Sequence, residues 1–475
     1  MELTLLLPPA DAARVPRLPI VRQTRTGRAR GQSTRVVWHD ALDRELSAEG
    51  LALAEQRGVW RLERHRPLAT DFWPPAIGHR LIEEAAAPDV FTHPLPAALT
   101  PVAAFEGRRT VFPLTIEGET VSLTMLHGTL RAVAAERPAA RLILEGPDNA
   151  MRILLRALAE NLPLSVPTFS LATQAVQLAD GTKPKPRRLG APALPHDGDT
   201  VTTAFAHIIG HLTDVILALA PETDDDETEI EAVHQIRVAV RRARSAMSLF
   251  PALADPTVAA GLKELGRVLG PARDWDVFMT ETAPPVEAVL PTQSDLHALL
   301  RAGERRRRSA HGALAEYLAS PRFRALCLEL AWLAAATLPA IEPEPPPLRD
   351  FAATVLHSRW KKLTNAGQAL DDLSNAELHG LRLKAKRLRY AAEFFAPLFQ
   401  EKSATRFIRR LAILQDRLGV FNDTASADVL SRELSARPGF GAGLVLGFTA
   451  ARGANVRPKI VRAWARFRRR DPFWE

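Results

Sequence analysis

Hydrophobic and polar positions follow two different patterns along this chain of 475 residues, which indicates two kinds of structure. Up to about residue 182, short apolar or alternating runs predict strands, because successive side chains of a strand point to opposite faces of a sheet. From Thr200 onward, apolar residues recur every three or four positions, which is typical of amphipathic helices. The pattern therefore predicts an N-terminal α+β region followed by an all-α region.

The N-terminal region is predicted to be mainly antiparallel sheet. Glu117-Gly118-Glu119 is typical of a hairpin turn between two of its strands, and Arg152–Asn161 is typical of a helix that ends at Leu162-Pro163. Strands are predicted at Glu2–Leu7, Arg35–His39, Thr110–Ile116, Thr120–Met125 and Arg141–Leu144.

Proline-rich segments divide the chain. We predict a domain at 1–182, a stiff linker at 183–199 and a helical domain at 200–475, whose two halves, 200–341 and 348–475, are separated by Glu342–Pro347. Helices are predicted at about 200–220, 229–250, 256–269, 294–318, 321–338, 348–370, 375–396, 402–418, 424–435 and 441–469.

The helix predicted at 229–250 has a basic face and an apolar face. With about 100° of rotation per residue, Arg237 and Arg241 fall close to His234, and Arg242 and Arg244 flank them. A run of charges of this kind is usually no more than a solvated helix face. The opposite, apolar side carries Ile236, Ala239, Ala243, Met247 and Phe250.

The same charged pattern occurs a second time, which argues against a merely solvated face. Each residue of the second set follows its counterpart by 145 positions: His379, Arg382, Lys386, Arg387 and Arg389. Both copies lead to a similar second segment, Leu269–Val277 and Leu418–Ser426, in which Gly270 and Gly419, and Asp274 and Asp423, are 149 positions apart.

Composition narrows the class of partner. A net charge of +8 and a pI of about 10.0 favour a polyanion or an anionic surface, without choosing between nucleic acid, membrane and phosphate polymers. The single cysteine, Cys327, excludes a disulfide framework and fits a reducing cytoplasm, and no signal peptide or membrane span is predicted. Further basic residues that we expect at a cationic surface are Arg305, Arg308, Arg359, Lys362, Arg409 and Arg410.

With these motifs in order, residues 200–475 resemble the CHAD domain, a histidine-bearing helical domain. The resemblance implies two pseudo-symmetric four-helix bundles with a basic cavity between them. It also implies inorganic polyphosphate as ligand, and some members lie on polyphosphate granules. The matching pieces are His234-Gln-Ile-Arg-Val, Leu269-Gly-Pro-Ala-Arg-Asp, His379 with Lys386-Arg-Leu-Arg-Tyr, Leu414-Gln-Asp-Arg-Leu-Gly, and the closing Pro472-Phe-Trp.

The N-terminal region resembles a CYTH domain of the triphosphate-tunnel group, through Glu2-Leu-Thr-Leu, Val36-Val-Trp-His-Asp40 and Glu145-Gly-Pro. The resemblance implies an antiparallel β-barrel that hydrolyses triphosphates with Mg²⁺ or Mn²⁺. Such hard cations need several oxygen ligands, yet of the family's paired carboxylates only Glu2 and Glu145 remain. We therefore predict an inactive domain, with no catalytic residue, metal ligand or cofactor.

The repeated basic residues suit polyphosphate, which offers charge and phosphate oxygens but no base edges. Arginine binds phosphate oxygens bidentately and stays charged, and lysine adds a mobile charge. His234 and His379 either contact phosphate or bond a backbone carbonyl or the acids Asp274 and Asp423. We expect binding to weaken with salt, and charge reversal at Arg237 and Arg382 together to abolish it.

Two other functions remain open from the sequence. The first is a metal-dependent triphosphatase in the N-terminal domain, against which the low acid count argues. The second is a nucleic-acid-binding module, which the basic pI favours and the presence of only two tyrosines disfavours, because few stacking platforms remain. A scaffold that brings partners to granules is compatible with polyphosphate binding.

Overall fold

The computed structural model describes residues 1–65, 76, 79–182, 192, 194, 200–220, 226–336, 346–434, 439–454, 456–469 and 471–475, without the side chains of 226–228 and 421–426. The predicted linker at 183–199 and the break at Glu342–Pro347 lie almost wholly outside these ranges. The chain forms two compact units, Met1–Arg188 with Arg324–Leu338, and Leu189–Phe323 with Pro339–Glu475.

The first unit is built on an eight-stranded antiparallel sheet in the order β1-β8-β7-β6-β2-β3-β4-β5. Its described strands form a half-barrel, and at the β1 edge the Thr4 amide donates to the Ala76 carbonyl at 2.9 Å. The strands are β1 (Glu2–Leu6), β2 (Arg30–Asp40), β3 (Leu51–Gln56), β4 (Val59–Arg64), β5 (Arg80–Ala85), β6 (Thr100–Ile116), β7 (Glu119–Arg131) and β8 (Glu136–Glu145).

The five predicted strands lie within or overlap β1, β2, β6, β7 and β8, whereas β3, β4 and β5 were not predicted. Their sequences are rich in Ala, Leu, Glu and Arg, which are residues that favour helices, so pairing within the sheet overrides local preference. The predicted hairpin turn is confirmed as the two residues Glu117 and Gly118, with φ of 51° and 84°. Positive φ at both positions is the requirement of a tight hairpin turn.

Two helices of this unit pack against the sheet. The helix predicted at Arg152–Asn161 begins four residues earlier, at Asp148. Another helix, at Leu171–Asp180, buries Ala172 and Ala175 against Trp38 and Phe105. The unit's helices are α1 (Pro19–Thr24), α2 (Glu45–Ala48), α3 (Asp148–Asn161) and α4 (Leu171–Asp180).

The described part of the helical region contains eleven α-helices. The helices predicted at 402–418 and 424–435 are one continuous helix, and the one predicted at 441–469 is two. The helices are α5 (Val201–Leu219), α6 (Asp226–Leu249), α7 (Pro256–Val277), α8 (Pro284–Val289), α9 (Ser294–Ala319), α10 (Pro321–Ala335), α11 (Leu348–Ala366), α12 (Asn375–Phe395), α13 (Glu401–Leu434), α14 (Phe440–Ala454) and α15 (Arg457–Arg468).

Most of α10 belongs to the first unit although the chain reaches it through the second. Its Glu329 accepts hydrogen bonds from Arg152 at 2.9 Å and Arg156 at 2.7 Å, both on α3. Nearly every side chain from Leu326 to Ala334 is buried, and Cys327 is a buried free thiol.

In the second unit, the helices α6 and α12 that carry the repeated motif pack against each other. Phe250 and Phe395, which are equivalent across the repeat, have ring centroids 6.0 Å apart, and Phe351 of α11 stacks on Phe250. This aromatic core holds the apolar faces of α6 and α12 together, which leaves their basic residues beside one another.

One helix in the described ranges, α5, is long and apolar enough to cross a membrane by length and composition alone. Most of its side chains are buried within the protein, as is typical of a core helix.

Candidate anion-binding site

A cavity of about 410 Å³ opens between α6, α12 and α13, and most of its charged lining is cationic. Four arginines and one lysine from the two repeated helices converge on it, together with one acid from α13. The lining residues are Val238, Arg241, Arg242, Arg382, Lys386, Arg389, Tyr390, Gln415, Asp416 and Gly419.

The pKa of Lys386 reflects both its burial and the positive charge of the cavity. Burial, followed by the charges of Arg241, Arg382, Arg237 and Arg389, lowers the pKa of its ammonium to about 7. Burial and neighbouring cations both disfavour the charged amine, and a bound anion would oppose the effect. The cavity is therefore suited to an anion.

A carboxylate holds two of these arginines in place. Glu393 accepts hydrogen bonds from Arg242 and from Arg389, both at 2.7 Å, and so joins α6 to α12. Gln415 of α13 accepts a further bond from Arg389 at 3.1 Å. Because Glu393 is only 10% exposed, it balances part of the charge behind the cavity while the arginines remain at its wall.

The ring of Tyr390 lies close to Arg241 and Arg242, two of the arginines that line the cavity. The guanidinium carbons of Arg241 and Arg242 are 5.9 and 6.0 Å from the centre of its ring. This cation–π geometry holds both side chains against an aromatic surface. Tyr390 stood in the quoted motif but was not assigned to the site, nor were Glu393 and the α13 residues that line the cavity, Gln415, Asp416 and Gly419.

Arg237 and His234 lie near the cavity without lining it. Arg237 donates to Asp274 at 3.3 Å, so this acid orients an arginine. Burial, followed by the charge of Arg273, lowers the pKa of His234. A Cβ at Gly270 would come within 3.3 Å of the Arg237 guanidinium, so the glycine leaves room for this side chain. The side chain of Asp423, the counterpart of Asp274, lies outside the described part.

The other basic residues predicted for the site do not line this cavity. His379, Arg387, Arg244, Lys362, Arg305 and Arg409 are exposed. Arg308 is exposed and pairs with Glu304 at 2.9 Å. Arg359 is half-buried and donates to Ser248, and Arg410 is partly buried on α13.

The cavity uses the two copies of the motif unequally. The equivalent positions Arg241 and Lys386 both line it. Arg242 lines it whereas its counterpart Arg387 is exposed, and Arg389 lines it whereas its counterpart Arg244 is exposed. The two copies of the motif therefore present different residues to this cavity, because each copy contributes a different side of its helix.

A second charged group, which the sequence did not predict as a site, joins α6, α7 and α9. His311 lies between Glu229, at 2.6 Å from Nδ1, and Asp276, at 2.9 Å from Nε2. Arg307 also donates to the fully buried Asp276 at 2.8 Å. Burial opposes the charge on His311, but the bonds to both acids outweigh it and raise the pKa of the imidazole.

In the first unit, the fold brings other charged residues close to Glu2 and Glu145, the two acids that remain of the family's paired carboxylates. Glu2 and Glu145 are cross-strand partners on β1 and β8. Burial raises the pKa of Glu2, with Glu145 and Glu63 adding to this against the charge of His79. Across the part of the chain that the structure describes, no three His, Cys, Asp or Glu side chains are arranged to hold a metal ion.

Residues 204–431 match the CHAD domain family. The structure of the CHAD domain from the plant Ricinus communis is 30% identical to this chain, with a TM-score of 0.51, and the match covers 59% of this chain and 96% of that one. The chain belongs to the CHAD domain family.

Two further solved structures are more distant. PptA from Streptomyces chartreusis is 18% identical over 57% of this chain and 98% of its own, with a TM-score of 0.43. A putative adenylyl cyclase from Hippeastrum, HpAC1, with a dominant triphosphatase activity, is 13% identical over 38% of this chain and 96% of its own, with a TM-score of 0.26. A comparison with curated protein sequences found no match.

Proposed function

We propose that this CHAD protein binds inorganic polyphosphate in the cavity between α6, α12 and α13. The observation that carries the proposal is the convergence there of Arg241, Arg382 and Lys386, where burial and then the charges of the arginines lower the pKa of Lys386 to about 7. Guanidinium groups bind phosphate oxygens bidentately, and the CHAD family is linked to polyphosphate binding.

The lining favours a phosphate chain over a nucleic acid. Base recognition needs free aromatic faces or side chains that reach base edges. Tyr390 is the one aromatic residue among those that line the cavity, and its ring lies beside Arg241 and Arg242. This lining therefore offers a ligand positive charge and contacts to phosphate oxygens, rather than contacts to bases.

We place the protein in the cytoplasm, where it would reach polyphosphate and its granules, and regard it as a binding protein rather than an enzyme. A carboxyl group whose pKa is raised, as at Glu2, is a weaker ligand for Mg²⁺ than an ionised one. Metal-dependent phosphate release from tripolyphosphate by the full chain would overturn the non-enzymatic part of this proposal.

The decisive experiment compares two double charge reversals in the full-length chain. Arg241→Glu with Arg382→Glu should abolish polyphosphate binding in a fluorescence-anisotropy titration, because both side chains line the cavity. Arg305→Glu with Arg308→Glu makes the same charge change on exposed residues of α9 and should weaken binding by less than about threefold, through long-range charge alone.

The salt dependence gives a second readout of the same titrations. With about five phosphate contacts, wild-type affinity should fall by roughly 100-fold between 50 and 200 mM salt. The cavity variant should show a shallower slope and the α9 variant should keep that of the wild type. Equal losses from both variants would mean that polyphosphate binds through diffuse surface charge and not in the cavity.

A further inference from the structure

Lys386 has a chemical property that anion binding alone does not require. With a pKa of about 7, about half of its side chains carry a neutral amine at pH 7, against about one in 3,000 for an ordinary lysine. A neutral amine is a nucleophile, and desolvation together with neighbouring cations is how proteins activate lysines.

The positions around Lys386 supply a docking site for a phosphate leaving group. Arg382 and Arg389 lie one helical turn before and after it on α12, and therefore on the same face. Arg241 reaches the same cavity from α6. Asp416 of α13 is the one acid among the lining residues, so the net charge around the amine remains positive. An electrophile that carries a phosphate would be held with its reactive carbon near the amine.

We propose that Lys386 is an acylation site for small acyl phosphates, whose phosphate group binds to the cavity arginines. This inference rests on the proposed function in one respect, because it uses the same arginines to hold a phosphate group.

The reaction is an ordinary acyl transfer. The lone pair of neutral Nζ attacks the carbonyl carbon and forms the C–N bond. The bond from that carbon to the phosphate oxygen breaks, and inorganic phosphate leaves with the electron pair. The amine loses one proton to solvent, which gives an amide on Lys386, and nothing is oxidised or reduced.

Acylation would reduce polyphosphate binding, because it removes a positive charge and fills part of the cavity. Bound polyphosphate should in turn block acylation in two ways. It occupies the phosphate position, and its negative charge raises the pKa of Lys386 and returns the amine to its unreactive form. The two processes therefore exclude each other, and acylation becomes faster with rising pH while polyphosphate binding becomes weaker.

The test uses full-length protein, acetyl phosphate at pH 7.5 and peptide mass spectrometry. Lys384, two residues earlier on the same helix, is the internal control, since it does not line the cavity. Lys386 should be acetylated about 10-fold faster or more, because its larger neutral fraction outweighs the weaker nucleophilicity of a low-pKa amine. Its rate should rise with pH to a plateau with a midpoint near pH 7.

A variant and a second reagent separate phosphate recognition from reactivity alone. Arg382→Gln should slow acetylation of Lys386 by acetyl phosphate at least about fivefold more than acetylation by the uncharged N-acetoxysuccinimide, because the lost charge raises the pKa of Lys386 for both reagents but only the first reagent binds the arginine. Equal slowing with both reagents, or equal rates at Lys384 and Lys386 in the wild type, would overturn the inference.

Long-chain polyphosphate links the two proposals and tells their failures apart. It should suppress acetylation of Lys386 and leave Lys384 unchanged. If polyphosphate binds to the chain but Lys386 reacts like Lys384, only the acylation inference fails. If Lys386 reacts selectively and polyphosphate neither binds nor protects, the proposed function fails.

Discussion

Glu393 shows how a single residue outside the basic motif holds the site in shape. It accepts bonds from Arg242 and Arg389, one from each repeated helix, and is nearly buried. Without it, two close guanidinium groups would face each other with little water to separate them. Buried ion pairs of this kind add little net stability to the folded protein. Removing one partner is nevertheless costly, because it leaves the remaining charges buried and unpaired.

We expect Glu393→Gln to lower the free energy of unfolding by about 2–3 kcal/mol, because it leaves two partly buried arginines without a counter-charge. Urea denaturation followed by circular dichroism measures this. Asp428→Asn is the matched control, since Asp428 pairs with the exposed Arg432 within one helix, and it should cost less than about 0.5 kcal/mol. Similar losses for the two variants would show that Glu393 has no special role between α6 and α12.

At the scale of elements, the site depends on how three helices present their polar faces. Packing of Phe250 against Phe395 sets α6 beside α12, and α13 closes the cavity with Gln415 and Gly419. Rotation about each helix axis then decides that Arg242 and Arg389 enter the cavity while their repeat counterparts face solvent. A helical wheel locates a basic face but cannot say which part of that face the neighbouring helix covers.

The His311 group, formed by His311, Asp276, Glu229 and Arg307, joins α6, α7 and α9 in a pH-dependent way. The pKa of His311 is raised in the folded protein, so its bonds stabilise fully below its ordinary value of about 6.5. That stabilisation is lost as the pH rises through the raised value. Burial opposes ionisation of Asp276, but bonds from His311 and Arg307 lower its pKa, so its contribution disappears only in acid.

We therefore expect His311→Gln to destabilise the protein by about 2–4 kcal/mol at pH 6 and by clearly less at pH 9. Urea unfolding at both pH values provides the measurement. His297→Gln changes a more exposed histidine on the same helix and should cost less than about 0.5 kcal/mol at either pH. A loss from His311→Gln that does not depend on pH would rule out a charged imidazole in the folded protein.

At the scale of the whole molecule, the chain cannot be divided into its two units at a single point, because most of α10 belongs to the first unit. The proline-rich linker predicts that residues 200–475 form a separate domain, and this stays a prediction. In the structure, most of α10 groups with the first unit, where Glu329 accepts hydrogen bonds from Arg152 and Arg156. A fragment that begins at residue 200 loses these partners and exposes the apolar side chains of α10.

We expect the fragment 200–475 to aggregate or to melt at a lower temperature than the full chain, because Leu328, Ala331 and Trp332 lose the surroundings that bury them. Size-exclusion chromatography and thermal unfolding test this. Co-expression with residues 1–182 is the control and should restore a soluble complex. A monomeric fragment that unfolds cooperatively at the temperature of the full chain would contradict the expectation.

The sequence by itself determined the two classes of structure, the repeated basic motif and the CHAD family. The structural classes and the repeat follow from local periodicity and residue spacing, and the family follows from the resemblance of the motifs, all of which can be recognised without any knowledge of tertiary contacts. It also located the helices α6 and α12 and five of the eight strands. The strands β3, β4 and β5 were missed because partners in the sheet, not their own residues, make them strands.

Only the tertiary structure decided which charges share a cavity. Arg241, Arg242, Arg382, Lys386 and Arg389 converge on it, whereas the equally basic Arg244, Arg305 and Arg387 do not line it. The contributions of Tyr390, Glu393 and α13, the lowered pKa of Lys386 and the placement of α10 also depend on contacts between residues far apart in the chain. Spacing along one helix fixes the direction of each side chain around the helix axis. The burial and electrostatic surroundings of that side chain depend on the neighbouring helices, which only the folded structure brings together.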